Sequence, residues 1–137
     1  MSKQSVEAFA EGLRTGQRAF NEGDFESAFA GLAPNVEWHA GGWVLDASVL
    51  HGRDAVIAFH KGTQEAGDWQ VEVQDVLDAG NGSIVVHQRG HHVGRTTRIE
   101  GTMDYFQVYE TGADGLVVRV REYPTLDEAR EAAGLDG

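Results

Sequence analysis

The 137-residue chain has no cysteine. That excludes disulfides, thiolate metal sites and cysteine nucleophiles. Basic residues are scarce: 11 Lys and Arg stand against 22 Asp and Glu, a formal net charge of −11. Such a surface repels phosphate backbones and anionic membranes, so neither nucleic acid nor a membrane is expected as a partner. No segment approaches the ~18 apolar residues of a spanning helix. Met1 to Leu13 carries Lys3, Glu7 and Glu11 and lacks an apolar signal core. A reducing cytoplasm fits this composition, and the expected location is cytoplasmic. Despite 18 glycines, no Gly-rich phosphate loop follows a strand. Serine is sparse and no Gly-x-Ser-x-Gly elbow exists, and no cofactor is expected. Asn81-Gly82-Ser83 matches a glycosylation sequon but reads as a tight hairpin turn.

The length argues for one domain over residues 1–137. Val6, Phe9, Ala10, Leu13 and Phe20 recur at helical spacing and predict a first helix over Ser5 to Asn21. Gly12 and Gly16 weaken it, or let another element approach closely. Gly23 suits a left-handed helix end, and Asp24 can cap a second helix over Asp24 to Leu32, which Pro34 stops. Val36 to His39 reads as a short strand, and Ala40 to His51 as a loop with Trp43, Val44 and Leu45 folding over something. A third helix runs over Arg53 to Gln64. After Gly67 the period becomes two. Trp69 to Asp78, Gly82 to Val93, Arg98 to Glu110 and Gly115 to Tyr123 read as strands joined by short turns, hence antiparallel hairpins. Leu126 to Leu135 reads as an acidic tail helix. Helices followed by a meander of long strands predict an α+β domain. A curved mixed or antiparallel sheet packs against three N-terminal helices and encloses a pocket.

The segments Phe20-Asn21-Glu22-Gly23-Asp24-Phe25, Leu32-Ala33-Pro34-Asn35-Val36-Glu37-Trp38, Gly52-Arg53-Asp54-Ala55-Val56 and Arg119-Val120-Arg121-Glu122-Tyr123 resemble the nuclear transport factor 2-like superfamily. Its members include ketosteroid isomerases, SnoaL-like polyketide cyclases, limonene-type epoxide hydrolases and binding proteins. The resemblance covers about Val6 to Glu131 and implies a cone-like fold. It puts the isomerase base at Trp38 or His39, the isomerase tyrosine at Gly16 and the acid at Asp104. Two of these three are missing or changed, which argues against steroid isomerisation. Arg89 matches the arginine of the epoxide hydrolases, His91 replaces their first acid, and Glu122 stands at their second. SnoaL-like cyclases imply a pocket acid, Asp104 or Glu122.

Read without the family, strand alternation gives two parities. If Val85, Val118 and Val120 face inward, so do His87, Arg89, His91 and Glu122. Thr102, Asp104 and Phe106 join them if Asp104 faces inward. Arg89 between two histidines, opposite Asp104 and Glu122, forms a self-neutralising cluster suited to proton transfer. The opposite parity leaves that row in solvent and puts Tyr105, Tyr109 and Tyr123 in the core. Candidate catalytic residues are therefore Asp104, Glu122, His87, Arg89 and His91. Trp38, Phe59, His60, Phe106 and Val120 are candidate substrate-binding residues, with Trp43 and Trp69 as further aromatic linings. Phe9 and Phe29 read as plain core. His51 reads as a surface loop residue.

No metal site is expected. His87 and His91 stand roughly 13 Å apart along a strand, and zinc ligands must lie within ~2.1 Å of the ion. The functional expectation is a small-molecule pocket protein, a cofactor-independent acid/base enzyme of isomerase, cyclase, dehydratase or epoxide hydrolase type. The alternative is a non-catalytic ligand-binding or protein-interaction domain. A homodimer through the outer sheet face is implied by the resemblance. Outward Met103, Tyr105, Tyr109 and Tyr123 would support it.

Overall fold

The computed structural model describes residues 3–40 and 49–135. Trp43, Val44 and Leu45 lie outside the described residues. Helix α1 spans Lys3–Asn21 and α2 is a single turn, Phe25–Ala28. Strands β1 (Leu32–His39) and β2 (Val49–His51) follow, then α3 (Arg53–Ala66). Four strands come next: β3 (Gly67–Asp78), β4 (Ser83–Gly94), β5 (Glu100–Thr111) and β6 (Val117–Tyr123). Helix α4 (Leu126–Ala132) closes the order. The six strands form one open sheet in the order β2-β1-β6-β5-β4-β3. β1 runs parallel to β6 and all other pairs are antiparallel. The fold is the expected α+β cone: α1 to α3 cover one face of the sheet.

Three local expectations need correction. The second helix stops four residues early, because the chain turns through Gly31 into the sheet at Leu32: the Val117 amide donates to the Gly31 carbonyl at 3.0 Å. β1 therefore starts at Leu32, not Val36, and contains Pro34. The β1–β6 register breaks between Leu32 and Glu37, and an imino residue without an N–H is tolerated at such an irregularity. The segment read as a loop up to His51 ends in β2, which pairs with β1 through Leu50 opposite Trp38.

The chain reversal between α1 and α2 follows the sequence signals. Gly23 has φ +82, and Asp24 accepts from the Ser27 amide at 3.3 Å. Hydrogen bonding from the Ser27 side chain, and then from its amide, holds the Asp24 carboxyl below its ordinary range. The end of α1 is then tied to β3 by side-chain amides. Asn21 Nδ2 donates to the Val71 carbonyl at 2.9 Å, and Asn21 Oδ1 accepts from the Val71 amide at 2.8 Å. Gln17 Oε1 accepts from the Val73 amide at 2.6 Å. These bonds fix the height at which α1 crosses the sheet.

The sheet is buried on both faces near its centre. On the helix side Val36, Val56, Ile84, Val86 and Val120 are fully buried. On the other side Val85 and Val108 pack against Ala129 and Ala133 of the α4 segment, joined by Phe106 and Tyr123. Thr125 caps α4, accepting from the Glu128 amide at 3.2 Å while its hydroxyl donates to the Glu128 carboxylate at 3.1 Å. No described helix is long and apolar enough to cross a membrane.

The two α1 glycines differ. A methyl at Gly16 would stand 2.9 Å from the Ala28 carbonyl oxygen, whereas one at Gly12 meets nothing within 4 Å. Gly16→Ala should therefore destabilise the protein by about 1–3 kcal/mol. Gly12→Ala should stabilise it by up to about 1 kcal/mol through helix propensity. Urea denaturation of the two variants checks both signs.

Candidate functional site

Between the helices and the sheet lies a cavity of about 770 Å³. Phe9 and Leu13 of α1 wall it on one side, and Phe59 and His60 of α3 on another. Trp38 of β1 and Trp69 of β3 flank a floor formed by β4, β5 and β6. Phe9 and Phe29, read from the sequence as plain core, line this space as well as packing against the core.

The floor carries a polar line. Gln88 on β4, Tyr105, Gln107 and Tyr109 on β5, and Glu122 on β6 all face the cavity. Gln88 Nε2 donates to Gln107 Oε1 at 2.7 Å, and the Tyr109 hydroxyl donates to the same oxygen at 3.1 Å. Gln107 Nε2 donates to Glu122 Oε2 at 2.8 Å. Trp38 Nε1 donates to Glu122 Oε1 at 3.4 Å. Burial, and then the Glu122 charge, push the Tyr105 and Tyr109 hydroxyls upward, so both phenols stay neutral. Gly90 makes room for this line. A side chain there would come within 2.7 Å of the Tyr105 ring and 3.3 Å of the Trp69 ring.

His60 belongs to the α3 wall. Its Nδ1 bonds the Val56 carbonyl one helical turn back at 2.8 Å. Its ring packs among Phe29 at 4.8 Å, Phe59 at 5.2 Å, Trp38 at 5.4 Å and Phe20 at 5.9 Å. Burial lowers its pKa to about 4, so the imidazole is neutral at physiological pH.

The first of the two parities fails on β4 and β5. Asp104, His87, Arg89, His91 and Phe106 lie on the far face of the sheet, outside the cavity. The register shows why: His87 pairs with Phe106 and Arg89 with Asp104, on the same face as Val85 and Val108. Those valines are buried, but under α4 rather than over the cavity. The four polar residues do meet one another in part. His87 Nε2 bonds Asp104 Oδ1 at 2.9 Å, and Arg89 Nε donates to the same oxygen at 3.0 Å. His91 Nδ1 bonds Thr102 Oγ1 at 3.4 Å, and His87 stacks on Phe106 at 4.5 Å. The His87 and Arg89 hydrogen bonds hold the Asp104 carboxyl below its ordinary range. Its side chain is 44% exposed, so this is a solvated network. On β6 Glu122 reaches the cavity. Val120 is fully buried in the core beneath it and does not line the cavity, and Val118 is exposed. A register break between Glu110 and Thr111 puts Val117, not Val118, on the inner face.

Trp38, Phe59, His60 and Glu122 are therefore brought together. Gln88, Gln107, Tyr105 and Tyr109 complete the line as residues that sequence reasoning did not place among the site candidates. The available signal was the alternation Tyr105-x-Gln107-x-Tyr109, which matches the second parity except at Tyr123. That residue packs under α4. His51 lies exposed on β2, and His39 faces away from the cavity, bonded to Glu37 at 3.2 Å. Among the described residues, no three His, Asp or Glu side chains are placed to hold one metal ion.

The family model of the SnoaL-like domain matches residues 13–120. The chain belongs to the SnoaL-like family. Solved structures agree on the fold. A nuclear transport factor 2-like protein from Burkholderia pseudomallei is 20% identical, with TM-score 0.72 over 89% of this chain and 94% of that one. A Mycobacterium tuberculosis protein in complex with estradiol-17β-hemisuccinate is 20% identical, with TM-score 0.68 over 83% and 91%. The Δ5-3-ketosteroid isomerase of Mycobacterium sp. is 17% identical, with TM-score 0.69 over 90% and 95%. A comparison with curated proteins finds no match.

The neutral His60 in this SnoaL-like cavity makes stability pH-dependent. Its pKa falls from 6.5 to about 4 on folding. Between those values the unfolded chain holds the proton and the folded chain does not, so stability rises with pH across that window. Urea denaturation should give an unfolding free energy at pH 5 about 2 kcal/mol below that at pH 7 from this residue. His60→Phe should remove that share of the difference.

Proposed function

We propose that the cavity takes an uncharged, largely apolar, oxygenated small molecule and that Glu122 moves a proton on it. The observation that carries this reading is a carboxylate, oriented by Gln107 and Trp38, in the floor of an otherwise aromatic cavity of about 770 Å³. The described lining residues include no Lys or Arg, which favours a neutral ligand. A carboxylate in apolar surroundings is a stronger base than one in water. Glu122 would take a proton from carbon next to a carbonyl, or activate water toward an epoxide. The neutral Tyr105 hydroxyl would donate to the oxygen that gains charge. Isomerisation, ring closure, dehydration and epoxide opening share this requirement. The steroid ester bound by the mycobacterial protein and the isomerase among the similar structures support a ring-shaped ligand and proton-transfer chemistry. Asp104, His87, Arg89 and His91 take no part in this reading.

The second reading is a binding protein of the same fold. One observation favours it: both Glu122 oxygens already accept hydrogen bonds from the protein. The same proposal takes residues 1–137 as one domain acting in the cytoplasm as a homodimer through the outer sheet face. The argument for that surface is weaker than the sequence suggested, since Tyr105 and Tyr109 face the cavity, with Met103 on their side of β5. Ile99, 68% exposed at the β4–β5 hairpin, and Val118 on β6 remain as apolar surface. Sedimentation velocity at micromolar concentration should show a two-chain species.

Incubation with a metabolite pool, followed by mass spectrometry, should reveal depletion of one neutral compound and a new product. Glu122→Gln should lower that turnover by ~100-fold or more, while Asp104→Asn should leave it nearly intact. Bound compound without product would favour the binding reading. Loss of turnover in Asp104→Asn alone would overturn the assignment of Glu122.

A further inference from the structure

His60 presents the cavity with one defined hydrogen-bonding capacity. Its Nδ1 is committed to the Val56 carbonyl at 2.8 Å. A carbonyl oxygen only accepts, so Nδ1 carries the proton and Nε2 is left as an acceptor. The neighbouring Thr63 hydroxyl does not serve it, because it donates to the His60 carbonyl at 2.8 Å. No donor among the described residues reaches Nε2. The rings packed around it among the described residues are Phe20, Phe29, Trp38 and Phe59. The α3 side of the cavity thus offers an acceptor in an aromatic box.

Water can satisfy that acceptor while the cavity is wet. A ligand that expels the water and cannot donate strands a buried polar atom, and a ligand that can donate replaces the lost bond. The flat rings around Nε2 favour a flat or ring-shaped body beside the donor. We propose that His60 Nε2 accepts a hydrogen bond from a hydroxyl on the ligand, so that the preferred ligand is a hydroxylated ring compound. This rests on the reading that the cavity binds small molecules, and it adds the functional group that sets the choice among them. The hydroxyl lies against α3, next to Trp38, whose indole also bonds Glu122, so it orients the ring relative to the acid.

Two probes of similar shape test it: 2-naphthol, which donates, and 2-fluoronaphthalene, which does not. Calorimetric titration of the full chain should show 2-naphthol binding about tenfold tighter. In His60→Phe the preference should vanish while 2-fluoronaphthalene binding persists. His60→Gln, which keeps an accepting oxygen, should retain part of it. Thermal unfolding of both variants confirms that they fold, and if Phe is not tolerated the Gln variant and the wild-type ratio still decide. Equal binding of both probes to the wild type overturns the inference and leaves the cavity reading standing. A preference unchanged in His60→Phe also overturns it, because another group then supplies the acceptor. Binding of neither probe counts against the cavity reading and this inference together.

Discussion

The site depends on the polarity of one side-chain amide. Gln107 has an accepting end and a donating end, and the two cannot be exchanged without breaking the line. Gln88 and Tyr109 both donate to its oxygen, so its nitrogen must face Glu122. Glu122 Oε2 accepts from that nitrogen at 2.8 Å. One buried amide thus links β4, β5 and β6 and orients the acid at the end of the line. Low dielectric strengthens each of these bonds and raises the cost of leaving any member unsatisfied. The arrangement rigidifies the floor while the walls remain plain aromatic surface.

The space above that floor exists because the sheet is held from both sides at different depths. On the outer face α4 lies directly on Val85 and Val108, using alanines that allow close approach. On the inner face α1 is spaced from the floor by its bonds to β3 and by ring-sized side chains. The aromatic chain Phe20, Phe25 and Phe29, with centroids 5.1 to 6.5 Å apart, packs α1 against α2. The same chain continues through Trp38 to His60. Core packing and cavity wall are therefore one continuous set of rings.

Much of this architecture was legible in the residues. The turn at Gly23 and Asp24, the three long strands after Gly67 and the tail helix carry strong local signals, and the structure shows them within a few residues. The parity of β4 and β5 was not legible. Alternation tells which residues share a face, but not which face meets the cavity. Val85 suggested the inner side because burial was equated with the cavity, and α4 supplied a second place to be buried. The partner of a strand face is a tertiary fact, and a seven-residue helix at the end of the chain decided it. Glu122 was placed inward because Val120 is buried by the main core. His60 was identified by its position on α3, but its tautomer depends on the Val56 bond, which only the folded helix displays. The strand around Pro34 was missed because proline reads locally as a stop, and only pairing with β6 reveals the register break that tolerates it.

The amide bonds from Asn21 and Gln17 to Val71 and Val73 have one more consequence. β3 is the last strand in the sheet order. Its outward backbone groups would otherwise be open to pairing with an extended segment of another chain. The helix that roofs the cavity occupies those groups itself, so along Val71 to Val73 the sheet offers no template for growth. The same two side chains that set the cavity's height also guard this edge of the sheet against edge-to-edge pairing.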